Sequence, residues 1–301
     1  MEEYVQTDLA CEVIGEGESL PKGVEHQIRT VGGISVSRVL ISERAASEAL
    51  NRPCGCYVSY QGHRLNLLGG SEEETLVRLL GGELRTMATR LSGKQVDPRF
   101  SVCVVGLGNR ELTADALGPL VTSRLTATRH LREEARDLYG SLQCCQISTV
   151  TPGVLGQTGI ESLELLCGVV ESVSPDLLIA VDALAARSCE RLASTVQLSD
   201  TGICPGSGVG NHRSEISRKT LGVPVISLGI PTVVHSSTLV LDALREAGME
   251  EVEDSLHSVL QNRRSFFVTP KDCDGVTQAG VRILSRAITV AFASELDETH
   301  R

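Results

Sequence analysis

Two aspartates stand where a chain of this kind could place chemistry. Asp182 follows the apolar run LLIAV, and Asp115 lies in TADALG, close to the start of a helical stretch. An acid against hydrocarbon must be hydrogen-bonded, paired or turned into a cleft. Two carboxyls brought together share a proton, because like-charge repulsion raises one pKa and leaves the other group ionised. Such a pair can deprotonate an attacking water and protonate the leaving side of a carbonyl substrate, which hydrolyses a peptide without a covalent intermediate. The plainer alternatives stay open from position alone: Asp115 as a helix cap favoured by the helix dipole, and Asp182 as a turn cap with Arg187 as its ion-pair partner.

Four glycine-rich loops surround these acids in sequence. VVGLGNRELTADALGP carries Gly106, Gly108 and Asn109, but Glu111 occupies the third glycine position of a dinucleotide fingerprint and no Gly-Lys-Ser/Thr follows. SDTGICPGSGVGNHRSEIS carries Gly206, Ser207, Gly208 and Asn211. Its glycines suit either a close backbone approach, with N–H groups turned to an anionic group, or a rigid structural turn. Ser207 is not a nucleophile elbow, since Pro205 and Val209 stand where glycines are required. The remaining loops are TPGVLGQTGIES and LGIPTVVHSS. The second contains His235, a residue that serves as ligand, base or neither.

The elements that must hold these loops are legible from Arg99 onward. FSVCVVGLG, CCQISTV, DLLIAVDAL, VPVISLGI and FFVT read as strands buried on both faces. Helical stretches separate them, over 113–126, 158–173, roughly 184–192, 236–247 and 275–294. That alternation predicts an α/β fold with a largely parallel central sheet and helices on both faces, its ligand loops at the carboxyl ends of the strands. Before it, HQIRTVGGISVSRVLIS and CGCYVSYQG read as short strands, and SEEETLVRLLGGELRTMATRL as one helix, with Gly81–Gly82 as its candidate break. The expected organisation is a pro-segment over 1–8, a β-rich accessory region over 9–98 and an α/β peptidase core over 99–301, with accessory region and core in one compact unit.

Composition removes several function classes. With 28 basic against 38 acidic residues the net charge is −10, and aromatics are 3% without tryptophan; direct nucleic-acid binding is excluded on both counts. No apolar run is long enough to span a bilayer, and the start has no secretory signal pattern. The ten cysteines lack paired metal-ligand spacing, Cys54-Gly55-Cys56 having no matching second pair, and are expected as reduced, mostly buried thiols. No metal and no cofactor is called for.

The phrases VVGLGN, TADALGP, TPGVLGQTGIES, VDALAARS, SDTGICPGSGVGNHR and TLGVPVISLGIPTVV follow one another in order, with FFVTPKDCDG near the end. Together they resemble the germination proteases of endospore-forming bacteria. The resemblance implies an atypical aspartic endopeptidase that starts the degradation of small acid-soluble spore proteins at germination. It implies a fold similar to the hydrogenase-maturation endopeptidases, with Asp115 and Asp182 as the essential aspartates. It further implies a self-processing zymogen, tetrameric, in the cytoplasm of the forespore and in the spore core. Two features depart from the family pattern: the usual long insertion between the GIPTVV and VTPK segments is missing, and His235 stands where aspartate is usual. Substrates of the family are cut after the acid in sequences like Thr-Glu-Phe/Ile-Ala-Ser-Glu. TDLACE, residues 7–12, repeats that order, which predicts self-cleavage between Asp8 and Leu9. The alternatives from the residues are a metal-dependent peptidase of the maturation type, needing a histidine beside the acids, and a non-catalytic binding protein on the same fold.

Overall fold

Aliphatic and β-branched runs without polar alternation must be covered on both sides, and the computed structural model covers them so. It describes residues 7–14, 20–209, 213–249, 255–256, 259–260 and 266–297. Four parallel strands form its centre: β4 (Ser101–Gly106), β5 (Gln146–Val150), β6 (Leu177–Ala186) and β8 (Val225–His235), ordered β8-β6-β4-β5. On the far side of β8 the sheet continues antiparallel through β7 (Thr195–Ser199), β3 (Gly55–Gln61), β2 (Ile34–Ile41) and β1 (Val24–Val31). The expected FFVT strand is a two-residue β9 (Phe267–Val268), paired with the end of β8. The N-terminal strands thus extend the central sheet, joined to it where Ser59 of β3 faces Gln197 of β7.

The largest core lies on one face, where Val104, Ile179 and Ile226 meet the helices Gly70–Ser92, Leu117–Arg124 and Cys273–Phe292. A second core on the opposite face places Val105, Leu178 and Ala180 under the Ser162–Val173 helix. Helices therefore cover both faces of the parallel half.

The single helix expected over 71–91 forms as Gly70–Ser92, unbroken at Gly81–Gly82. A Cβ at Gly81 would lie 2.9 Å from Val290 Cγ1 and 3.2 Å from the Ala287 carbonyl oxygen, so that glycine lets two helices approach. No helix forms over 184–192. β6 runs on to Ala186, because Ala185 and Ala186 pair with Val233 and Val234 and Ala185 also accepts the Asp8 N–H and donates its own to the Asp8 carboxylate; tertiary pairing overrides the helical propensity of LAAR. For the same reason Asp182 does not end its strand but stands within it. The helix expected over 113–126 is a 3-10 turn, Thr113–Asp115, followed by the helix Leu117–Arg124.

Asp115 is held against β6 by a close approach that only glycine permits. A Cβ on Gly118 would lie 2.3 Å from the Leu107 carbonyl oxygen and 2.4 Å from that of Val181. Gly118→Ala should therefore destabilise the fold by about 1–3 kcal/mol through backbone displacement, read as a lower urea midpoint. An unchanged midpoint would show that the contact relaxes freely.

Candidate active site

The two aspartates arrive from separate elements. β4 leads into the Gly106-Leu107-Gly108 turn, where Gly108 has φ +107° and a Cβ would lie 2.1 Å from the Asp115 carbonyl oxygen. Glycine there is required by conformation and by space. The loop returns through the Thr113–Asp115 turn, fastened by Thr232 Oγ1 donating to the Ala114 carbonyl at 2.6 Å and Thr277 Oγ1 to that of Thr113 at 3.2 Å. Asp115 Oδ2 then accepts the Asn109 N–H at 2.7 Å. The Asn109 side chain braces the loop, its Oδ1 accepting from Glu111 N–H and from Gln157 Nε2.

Asp182 projects from the middle of β6 and is 5% exposed. Both carboxylates line one cavity of about 580 Å³, together with the glycine loops at 107–109, 153–156 and 205–206. Burial pushes the Asp182 carboxyl well above the usual carboxylate range; the charges of Asp115 and then Asp8 push it further, against a single Ala183 N–H at 2.9 Å. Burial also raises Asp115, opposed by the Asn109 N–H. Both carboxyls are thus pushed towards their protonated forms, Asp182 the further of the two.

A third acid completes the site. Asp8 lines the same cavity. Its N–H donates to the Ala185 carbonyl at 2.9 Å, while its Oδ2 accepts the Ala185 N–H at 2.8 Å and its Oδ1 the Ser207 hydroxyl at 2.8 Å. Gly208 is glycine because a Cβ there would lie 2.3 Å from Asp8 Oδ2. The anionic group against this loop is thus the chain's own Asp8. Leu9 and Ala10 are fully buried, and Glu12 is 4% exposed. Glu12 accepts the N–H groups of Arg187 and Ser188 at 2.8 and 2.9 Å and lies 3.8 Å from Arg191 Nε. Arg187, expected as a partner of Asp182, is bonded to Glu12 instead, its guanidinium donating to the Glu12 carbonyl.

Gly206, with φ +74°, lines the cavity. His235 does not line it: Nε2 lies 2.9 Å from the Gly208 carbonyl oxygen and the ring packs on Phe267, so the imidazole braces the Ser207 loop from behind. Asn211 lies outside the described residues. Among the described residues no three His, Cys, Asp or Glu side chains stand together as a metal would need, and no described histidine lines the cavity of the acids. The ten cysteines are free thiols, five of them buried.

A raised native carboxyl pKa has a signed consequence. The unfolded chain's aspartate titrates near about 3.9, whereas native Asp182 holds its proton to higher pH. Above that value the unfolded chain binds fewer protons, so stability falls as pH rises until native Asp182 ionises, with a slope of up to about 1.4 kcal/mol per pH unit. Asp182→Asn removes this loss. Its urea midpoint should exceed the wild-type value at pH 7 and converge with it towards pH 4; parallel curves would show that Asp182 titrates as an ordinary carboxylate.

The germination protease family model matches residues 7–249, a span that takes in Asp8, Asp115 and Asp182. The germination protease of Caldanaerobacter subterraneus subsp. tengcongensis is 37% identical over 98% of this chain and 96% of its own length. That of Clostridium acetobutylicum is 34% identical over 99% and 98%. That of Bacillus cereus is 39% identical over 80% of this chain but only 66% of its own length. A cavity lined by two carboxylates, on a chain so similar to these peptidases over nearly its whole length, places the protein in the germination protease family.

Proposed function

We propose that this peptidase is an endopeptidase of atypical aspartic type, with Asp115 and Asp182 as its catalytic pair and small acid-soluble spore proteins as its substrates. The observation that carries the reading is the cavity itself. It is lined by two carboxylates, one driven strongly towards its protonated form, and the chain's own Asp8 lies beside them. Ionised Asp115 takes a proton from water as its oxygen attacks the peptide carbonyl carbon. Protonated Asp182 supplies the proton needed as the carbon–nitrogen bond breaks.

The same geometry supports a self-processing zymogen. Residues 7–12 lie along the site with their polar groups bonded to β6, β7 and the Ser207 loop, which is how a bound peptide would lie. The proposed cut is Asp8–Leu9. Tetrameric assembly and residence in the forespore and spore core extend the reading by family resemblance; among the described residues no helix is long and apolar enough to cross a membrane.

Incubation of the protein with an acid-soluble spore protein, under acidifying conditions that convert a zymogen, should give cleavage and a new N-terminus at Leu9 by mass spectrometry. Asp115→Asn and Asp182→Asn should each slow both reactions at least about 100-fold. Intact substrate with the wild type would overturn the reading, as would full activity in a chain still beginning at Met1.

A further inference from the structure

The backbone between Asp8 and Ala10 is gripped by one side chain. Gln197 Nε2 donates to the Asp8 carbonyl oxygen at 2.8 Å, and Gln197 Oε1 accepts the Ala10 N–H at 2.7 Å. The amide orientation is fixed by its partners, since a carbonyl can only accept and an N–H can only donate. Ser59 Oγ, 3.5 Å from Oε1, agrees with it. Gln197 is 6% exposed, so this donor works away from water.

Sheet register puts Gln197 level with the acid pair. Gln197 of β7 pairs with Gly229 of β8, and Gly229 pairs with Asp182 of β6. Residues in one such row project on the same face of a sheet, and two strand spacings separate the outer two by about 10 Å. The middle residue has no side chain. The Leu184 side chain fills the place beside it, its Cγ 2.7 Å from where a Cβ of Gly229 would stand. Asp8 and Leu184 line the cavity holding Asp182 and also the neighbouring one, of about 480 Å³, that holds Gln197.

We infer that Gln197 is a further catalytic residue, whose side-chain N–H polarises the carbonyl of the bond being cut and holds its oxygen as charge develops. This rests on the reading above of Asp8–Leu9 as the cut bond and Asp115–Asp182 as the acid pair. Water oxygen bonds to the Asp8 carbonyl carbon and its proton passes to Asp115, while the carbonyl π electrons move onto the oxygen facing Gln197. As that oxygen re-forms its double bond, the carbon–nitrogen bond breaks and the Leu9 nitrogen leaves with the proton of Asp182. With the oxygen held by an amide, the Asp182 proton is kept for the nitrogen. Preorganised donors of this kind contribute through the developing charge more than through substrate binding.

The test is the first-order rate of the cut after Asp8 in the full chain, in which the segment is already bound. Gln197→Met removes the donor at similar volume and should slow the cut about 100- to 1,000-fold. Gln197→Glu keeps the shape and loses the donor while ionised; once protonated it offers an O–H. Its rate relative to wild type should therefore climb as pH falls, a change that a merely structural clamp would not produce. Should the methionine chain fail to fold, the pH trend of the glutamate chain decides by itself. Wild-type rates in either variant, or a glutamate ratio flat with pH, overturn the role of Gln197. Asp182→Asn measured alongside separates the two readings: if it cuts as fast as wild type, or if the wild type never cuts after Asp8, the acid-pair reading falls instead.

Discussion

A carboxyl group stands in the middle of a central strand without a cation to offset it. Burial raises Asp182, Asp115 and Asp8 raise it further, and one neighbouring N–H opposes them. Such a group is tolerated only with its proton on, and the surrounding architecture keeps it in that condition. The Gly106 and Gly118 contacts draw the Asp115 turn against β6, where a methyl group at either glycine would meet backbone atoms at 2.3 Å. The parallel sheet fixes the position of Asp182 through its register with Gly229. Burial, reinforced by the charges of the neighbouring acids, pushes Asp182 towards its protonated form in a cavity that a second carboxyl also lines.

Residues 7–12 exploit this site and add to its strain. Thr7 Oγ1 accepts the Leu9 N–H at 3.0 Å and donates to the Glu12 carboxylate, so the segment is partly bonded to itself before it touches the sheet. Two acids then dock at opposite ends. Asp8 takes the Ser207 hydroxyl and the Ala185 N–H, and Glu12 the N–H groups of Arg187 and Ser188. Leu9 and Cys11 pack with Leu184, Ala186 and Val234, which adds apolar burial to polar recognition. The Asp8 carboxylate nevertheless adds to the charge of Asp115 in pushing the Asp182 carboxyl up.

Sequence disclosed the parallel half of the sheet because its strands are continuous apolar runs separated by amphipathic helices. VVGLGN and VDALAARS pointed to the loops and strands that carry Asp115 and Asp182, yet no local pattern measures the distance between them. β7 was hidden. TVQLS is five residues long, places a glutamine among buried positions, and follows a stretch of helical composition. Its signal was the polar residue itself: a buried glutamine in a strand needs partners, and here the partners lie on residues 8 and 10. Arg187 was misassigned for a related reason, since sequence nearness to Asp182 says nothing about Glu12, whose contact depends on the N-terminal segment folding back across β6. His235 was open in the sequence between a chemical role and the shaping of a loop, and in the fold its ring lies against Phe267 and the Gly208 carbonyl.

The proposed cut does not by itself empty the cleft. Breaking Asp8–Leu9 frees the residues up to Asp8, but Leu9, Ala10 and Glu12 are buried, and the Glu12 carboxylate has four partners: Thr7, the N–H groups of Arg187 and Ser188, and Arg191. Of these only Thr7 departs with the fragment. Ala10 and Ile14 pack with Val24 and Val39, so the segment is anchored to the β1–β2 hairpin as well as to the site. Activity towards another chain therefore requires a second event after the chemical one, the withdrawal of residues 9–12 from contacts with β6 and β7. A carboxylate in a competing substrate that binds the same N–H groups as Glu12 supplies a driving force for that exchange, because it replaces each lost bond with an equivalent one.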